Sequence, residues 1–181
     1  MNKKTKVRSV SNPIQQTAIA EYERLCVSDD KTAFGTPRQA REFLSNHNRA
    51  CLFKHLKNIK AKEVNVTFDG SGDSGQIESS VVDGKEIISS KKCGIVEGFI
   101  SHTCTSYKPD GQIEHSWEKQ VNLYQAVEDY CYNILETEHG GWEINGGSFG
   151  EFTISVKKDK LETKLVMNER YEEVTTSEET Y

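Results

Sequence analysis

The sequence predicts an α+β fold: an antiparallel β-sheet built from hairpins, with helices packed on one face, in a single domain. Two segments near the start carry helix-start signals, N-P-I-Q at Asn12 and T-P-R-Q at Thr36. From Val64 onward the apolar spacing changes from helical to alternating. A third helical stripe then interrupts a series of hairpins, the pattern of helices gathered on an antiparallel sheet rather than alternating with parallel strands.

The first helix is predicted from Asn12 to about Cys26, with Asn12 as cap, Pro13 at the first helical position and Gln15 where a capping box places it. Ile14, Ala18, Tyr22 and Leu25 form its apolar stripe, and the polar DDKTAFG segment ends it. The second helix starts after Thr36 and runs to about Ile59, with Ala40, Phe43, Leu44, Ala50, Cys51, Phe53 and Leu56 apolar and His47 and His55 riding on it.

Val64, Val66 and Phe68 then alternate with Asn65, Thr67 and Asp69, and beyond the loop Ile77, Ser79 and Val81 alternate with Gln76, Glu78 and Ser80. The loop joins two antiparallel strands and places Asp69 and Glu78 at its base. A second hairpin is expected from Ile95–Tyr107 and Gln112–Lys119 around the turn K-P-D-G. Leu123, Ala126, Val127, Tyr130, Cys131, Ile134 and Leu135 mark an amphipathic helix from about Val121 to Glu138, closed by Gly140 or Gly141 in the left-handed region. WEINGGSFGEFTISV reads as two short strands around a glycine turn, and Leu161 to Tyr171 as a last strand. The domain organisation expected is a basic tail and first helix over 1–35, one α+β domain over 36–171 and an acidic tail over 172–181.

At 181 residues the chain suits one domain with a hydrophobic core, and 35% apolar residues with seven Tyr, seven Phe and two Trp place it among folding sequences. Nothing in it approaches the roughly 20 apolar residues that span a bilayer, and the basic start lacks the apolar stretch of a signal peptide. A cytoplasmic location with no membrane association is expected. The five cysteines form no C-x-x-C pair, which suits reduced thiols and argues against structural zinc. The net charge of −5 gives no basic face for nucleic acid, which is unsupported as a partner though not excluded.

The loop FDGSGDSGQIE contains G-D-S-G, the setting of the nucleophilic serine in trypsin-like proteases. The match ends after Gly75, and the two early helices do not suit a pair of β-barrels, so Ser74 is expected to be an ordinary loop serine. Asp69, Ser71 and Asp73 alternate like oxygen ligands, but a calcium loop in that register needs Gly and Glu where Ser74 and Ser80 stand. With no lysine, the loop does not cradle phosphate either. A well-made turn accounts for its glycines and short polar residues, while its carboxylates need a compensating cation or donor.

The second constellation is EHGGWEINGGSFGE, with His139, Trp142, Glu143, Asn145 and Glu151. On a strand, Glu143 and Asn145 would share one face and Trp142 the other, in the core; Asn168 and Glu169 would add a polar pair on a neighbouring strand. His102 and His115 sit on the second hairpin, where a histidine is more often a partly buried polar residue than a ligand.

These segments, FDGSGDSGQIE, AVEDYCYNILETEHGGWEING, GEF and NERY, resemble the pattern of an uncharacterised family from bacteria and their mobile elements, over about Ala50 to Tyr181. The resemblance implies a shared fold and a bacterial or phage origin and supplies no reaction. The expected function is that of a small cytosolic binding or regulatory protein acting through a protein partner, without cofactor. Its contact surface comprises Asp69, Asp73, Glu78, His139, Trp142, Glu143, Asn145, Glu151, Asn168 and Glu169. The alternative is a hydrolase in which Asp69, Asp73 and Glu78 hold Mg²⁺ or Mn²⁺ and His139, Glu143 or Glu151 moves a proton. It requires both glycine-rich segments to meet.

Overall fold

The computed structural model describes residues 12–28, 38–87, 94–107 and 113–170. The fold is α+β: helices α1 (Pro13–Ser28), α2 (Arg38–Asn58) and α3 (Leu123–Glu138), and two antiparallel sheets. The basic start, the Thr36–Pro37 helix signal, the K-P-D-G turn, Cys93, Tyr171 and the acidic end lie outside the described residues. Two compact units divide the chain, Met1–Ala61 with Ile87–Tyr130 and Lys62–Glu86 with Cys131–Tyr181.

In the first unit, Asn12 caps α1 as its sequence predicts, its Oδ1 accepting the Ile14 N–H at 2.9 Å. Ala18 and Tyr22 are buried, but Ile14 at the start of the stripe is half exposed. Gln15 does not close a capping box. Its side chain is buried, and Nε2 donates to the carbonyls of Phe99 and Glu118 at 3.0 and 2.8 Å. Asn48 of α2 holds the same segment, donating to Ile100 O at 2.8 Å and accepting from Ile100 N at 2.9 Å, as a neighbouring strand would. These amides satisfy backbone that the chain does not use in a ladder, and residues 96–101 stay outside the strand expected over Ile95–Tyr107. Only β4 (His102–Tyr107) and β5 (Ile113–Trp117) form the second hairpin, with Ile95 confined to a single bridge to Asn122.

The second unit is a five-stranded sheet in the order β3-β2-β1-β6-β7, formed by β1 (Glu63–Ser71), β2 (Ser74–Val82), β3 (Lys85–Glu86), β6 (Ser148–Val156) and β7 (Leu161–Glu169). Val64, Val66 and Phe68 point inward together, beside Phe152 and Ile154 of β6. Each such side chain contributes about 1.5–3 kcal/mol by leaving water. Cys131 and Leu135, from the second half of α3, and Trp142 are buried in the same unit, and Tyr132 Oη accepts the Ile77 N–H at 3.0 Å.

A β-bulge separates the observed register from the predicted one. Thr67 pairs with Ser79 but Phe68 pairs with Ile77, so Glu78 is the extra residue of β2. The bulge shifts the inward face from Ile77, Ser79 and Val81 to Ile77 and Ser80. On the turn side of the bulge the two-residue turn sets Asp69 opposite Gln76, not Glu78, and Glu78 accepts a hydrogen bond from Gln76 Nε2 at 2.7 Å.

Asp83 and Gly84, both at positive φ, make the tight turn from β2 to β3. Asp83 Oδ1 accepts the N–H groups of Lys62 and Glu63, both at 2.9 Å, which pins the entry to β1 and holds the Asp83 carboxyl below its usual range. No helix among the described residues is long and apolar enough to cross a membrane.

Candidate functional site

The turn between β1 and β2 consists of Gly72 and Asp73, at φ 59° and 63°. Two left-handed residues match the twist of the flanking strands and leave both of their N–H groups pointing out of the hairpin. Those two donors meet the second glycine-rich segment. Gly72 N–H donates to Asn145 O at 2.9 Å and Asp73 N–H to Glu143 O at 3.0 Å, while Asn145 N–H reaches Asp73 Oδ1 at 3.4 Å. The two segments therefore converge.

The partner segment is not a strand. After α3, Trp142 N–H bonds to His139 O, Ile144 N–H to Gly141 O and Gly147 N–H to Ile144 O, so successive turns occupy 139–147. Gly141 is the left-handed residue at the helix end, and Asn145 takes the same conformation three residues after Trp142. These turns replace the first of the two predicted strands and remove the shared face expected for Glu143 and Asn145. Trp142 is buried, as its aromatic bulk predicts, against the ladder pair Gly70 and Gly75. Its ring meets Phe68 edge-on, centroids 5.6 Å apart, and its carbonyl accepts from Ser148 Oγ at 2.8 Å.

Arg170 completes the assembly and was not among the residues the sequence singled out. Its guanidinium donates to Asp69 Oδ2 and, at 2.8 Å, to Gly70 O, and it lies over the Phe149 ring at 4.8 Å. The positive charge that Asp69 requires thus comes from the arginine of NERY. The signal was present in the sequence as a cation beside Asn168 and Glu169, in the same motif.

Next to these contacts is a cleft of about 360 Å³, to which His139, Trp142, Asn145, Glu169 and Arg170 all contribute. Asp73 sits exposed at the turn tip, Glu151 and Asn168 are exposed on β6 and β7, and Glu78 is exposed on the bulge. Asn168 faces Phe149 and Glu151 faces Val166 across the β6–β7 ladder, on the same side of the sheet as Asp69 and Thr67. The cleft and the interlocked turns thus bring together most of the sequence-selected residues of this unit, while Glu78 stays with Gln76.

Glu143 has a carboxylate oxygen, Oε2, that is buried and has no hydrogen-bond partner. Burial raises the pKa of Glu136 above its ordinary value, and the negative charge of Glu143 raises it further. Two carboxyls therefore compete near one spot. No three His, Cys, Asp or Glu side chains come together as a metal-holding group among the described residues, so Asp69, Asp73 and Glu78 do not form the triad that the hydrolase alternative needs.

Two nucleophile arrangements fail on geometry. Ser74 Oγ donates to Ser71 O at 3.3 Å across its own turn. In the first unit, His47 Nε2 lies 3.5 Å from Cys51 Sγ but 2.8 Å from Gly98 O, so that nitrogen carries its proton toward the carbonyl and cannot take one from the thiol. Burial also pushes the Cys51 thiol up, away from the reactive thiolate.

A family described as of unknown function, DUF6878, matches residues 44–181. No curated protein and no solved structure matches the chain.

Proposed function

We propose that this chain, which belongs to the DUF6878 family, is a binding module that takes a basic segment of a protein partner at its interlocked turns. The observation that carries the reading is the buried, donor-free Oε2 of Glu143. A buried carboxylate oxygen without a donor is unfavourable, and a lysine or arginine side chain that displaces its cover at the half-buried Glu143 supplies both the donor and the charge. Asp73, on the turn bonded to Glu143 by its backbone, adds a second carboxylate on the same rigid platform. Pre-organisation by main-chain bonds reduces the ordering cost of association. The hydrolase alternative lacks such a supporting observation, because the ligands it needs are not gathered. The unbridged thiols of Cys26, Cys51 and Cys131 favour a reducing compartment, the cytoplasm.

The test is a titration of the full chain with labelled Lys/Arg-rich, neutral and acidic peptides of equal length, at low and physiological salt. The basic peptide binds, more weakly at higher salt, and loses affinity in Glu143→Gln and Asp73→Asn. Equal binding of the neutral peptide, or indifference to Glu143→Gln, would end this reading.

A further inference from the structure

The first unit contains a side-chain cluster that the proposed function does not use. On the β4–β5 hairpin, His115 Nδ1 lies 3.2 Å from His102 Nε2. The ring centroids are 5.3 Å apart and the planes cross at 68°. Trp117 stands beside both, with its ring 5.3 Å from His102 and 5.9 Å from His115. From α1, Tyr22 meets His115 and Trp117 edge-on, and Glu23 Oε1 accepts from the Trp117 indole at 3.3 Å.

We propose that His102 and His115 form a two-imidazole site for a borderline divalent transition-metal ion such as Zn²⁺, Ni²⁺ or Cu²⁺. Two nitrogens bound to one tetrahedral ion at 2.0–2.1 Å stand about 3.3 Å apart, with the centroids of their rings about 5.2 Å apart. The observed pair, at 3.2 and 5.3 Å, matches both separations. Imidazole nitrogen selects Zn²⁺, Ni²⁺ and Cu²⁺ over Mg²⁺ and Ca²⁺, which take oxygen. Tyr22 packs against His115 and Trp117 and holds that wall of the site in place, and the Glu23 carboxylate beside Trp117 adds negative charge near a cation.

The protons of the pair balance on binding. In the metal-free pair one of the two facing nitrogens carries a hydrogen, which it donates to the other. In the bound pair both facing nitrogens are bare and each ring keeps its hydrogen on the remote nitrogen. One ring changes tautomer and no proton is released from the neutral pair.

The experiment is a Ni²⁺ titration of the full chain followed by tryptophan fluorescence, with Trp117→Phe to assign the signal and circular dichroism to verify folding. Saturable quenching is expected at about pH 7.5, reversed by Zn²⁺ and untouched by Ca²⁺. His102→Gln and His115→Gln each weaken it by about tenfold or more, as loss of a ligand exceeds loss of a supporting partner. His102 is exposed, so at least that variant keeps the native fold. Quenching that is absent, or that survives in both folded variants, would overturn the site.

Discussion

Trp142 lies over Gly75 so closely that a methyl group on that glycine would fall 2.1 Å from the indole ring. The facing glycine of the ladder, Gly70, leaves only 2.8 Å. The tryptophan that closes the core of the second unit is therefore seated by the absence of two side chains in the hairpin below it.

Gly75→Ala is expected to destabilise the protein by about 2–3 kcal/mol, the cost of overpacking a site that cannot yield without moving an indole. Urea unfolding followed by circular dichroism measures it as a lower midpoint at constant slope. A change within about 0.5 kcal/mol would show that Trp142 is not fixed there.

Asp73 is a non-glycine residue at φ 63° in the turn that meets Asn145 and Glu143. Asp73→Val puts a β-branched residue into the left-handed region and is expected to cost about 1–2 kcal/mol. Asp73→Gly removes that strain while losing only the long bond from Asn145 N–H, so its stability should stay close to the parent. Thermal melts of the pair separate backbone conformation from the carboxylate.

Arg170 and Asp69 join residues 101 apart in sequence. Both are partly exposed, so Arg170→Met should cost only about 1 kcal/mol despite its bonds to Asp69 and Gly70. Arg170→Lys should recover less than half, because an ammonium cannot fork between a carboxylate and a carbonyl while lying on Phe149. A double-mutant cycle with Asp69→Asn isolates the pair, and a coupling of zero would mean the contact is incidental.

Two carboxyls give opposite pH dependences. The Glu136 pKa is raised in the fold above 4.5, so the native state holds its proton more tightly and stability falls as pH rises through that range. Glu136→Gln should flatten that fall and raise the melting temperature slightly near neutral pH. Asp83 is depressed below 3.8 by two backbone N–H groups, so its contribution is present above that value and is lost as pH falls through the depressed one. Asp83→Asn should lose stability near neutral pH and show less acid sensitivity. Melts from acid to neutral pH check both signs.

Much of the architecture was legible where a periodic signal met no competitor. Val64, Val66 and Phe68 alternate and are buried together, Asn12 caps α1, and α3 follows its apolar stripe. Reading failed where a long-range partner decided a local conformation. Gln15 is drawn away from a capping box by two carbonyls about a hundred residues later, and Asn48 keeps 96–101 out of a ladder. The bulge at Glu78 inverts a face that simple alternation fixes one residue off. Of the site, the carboxylates and Trp142 stood out from the sequence, but Arg170 did not, because a counter-ion across two strands leaves no local spacing. The two histidines are 13 residues apart on strands whose pairing offset no motif encodes.

The order of the sheet, β3-β2-β1-β6-β7, places the central strand β1 next to one that is synthesised much later. The β1–β2 hairpin is local and can close within microseconds of leaving the ribosome. Its second neighbour, and the Glu143 and Asn145 carbonyls that take up the turn's N–H groups, are still to be made. At about 5–20 residues per second, the separation of 72 residues between Asp73 and Asn145 leaves the hairpin edge open for several seconds. During nascent-chain elongation this edge is a template for pairing with other strands, so the waiting hairpin is the species a chaperone would protect and the point at which overproduction would lead to aggregates.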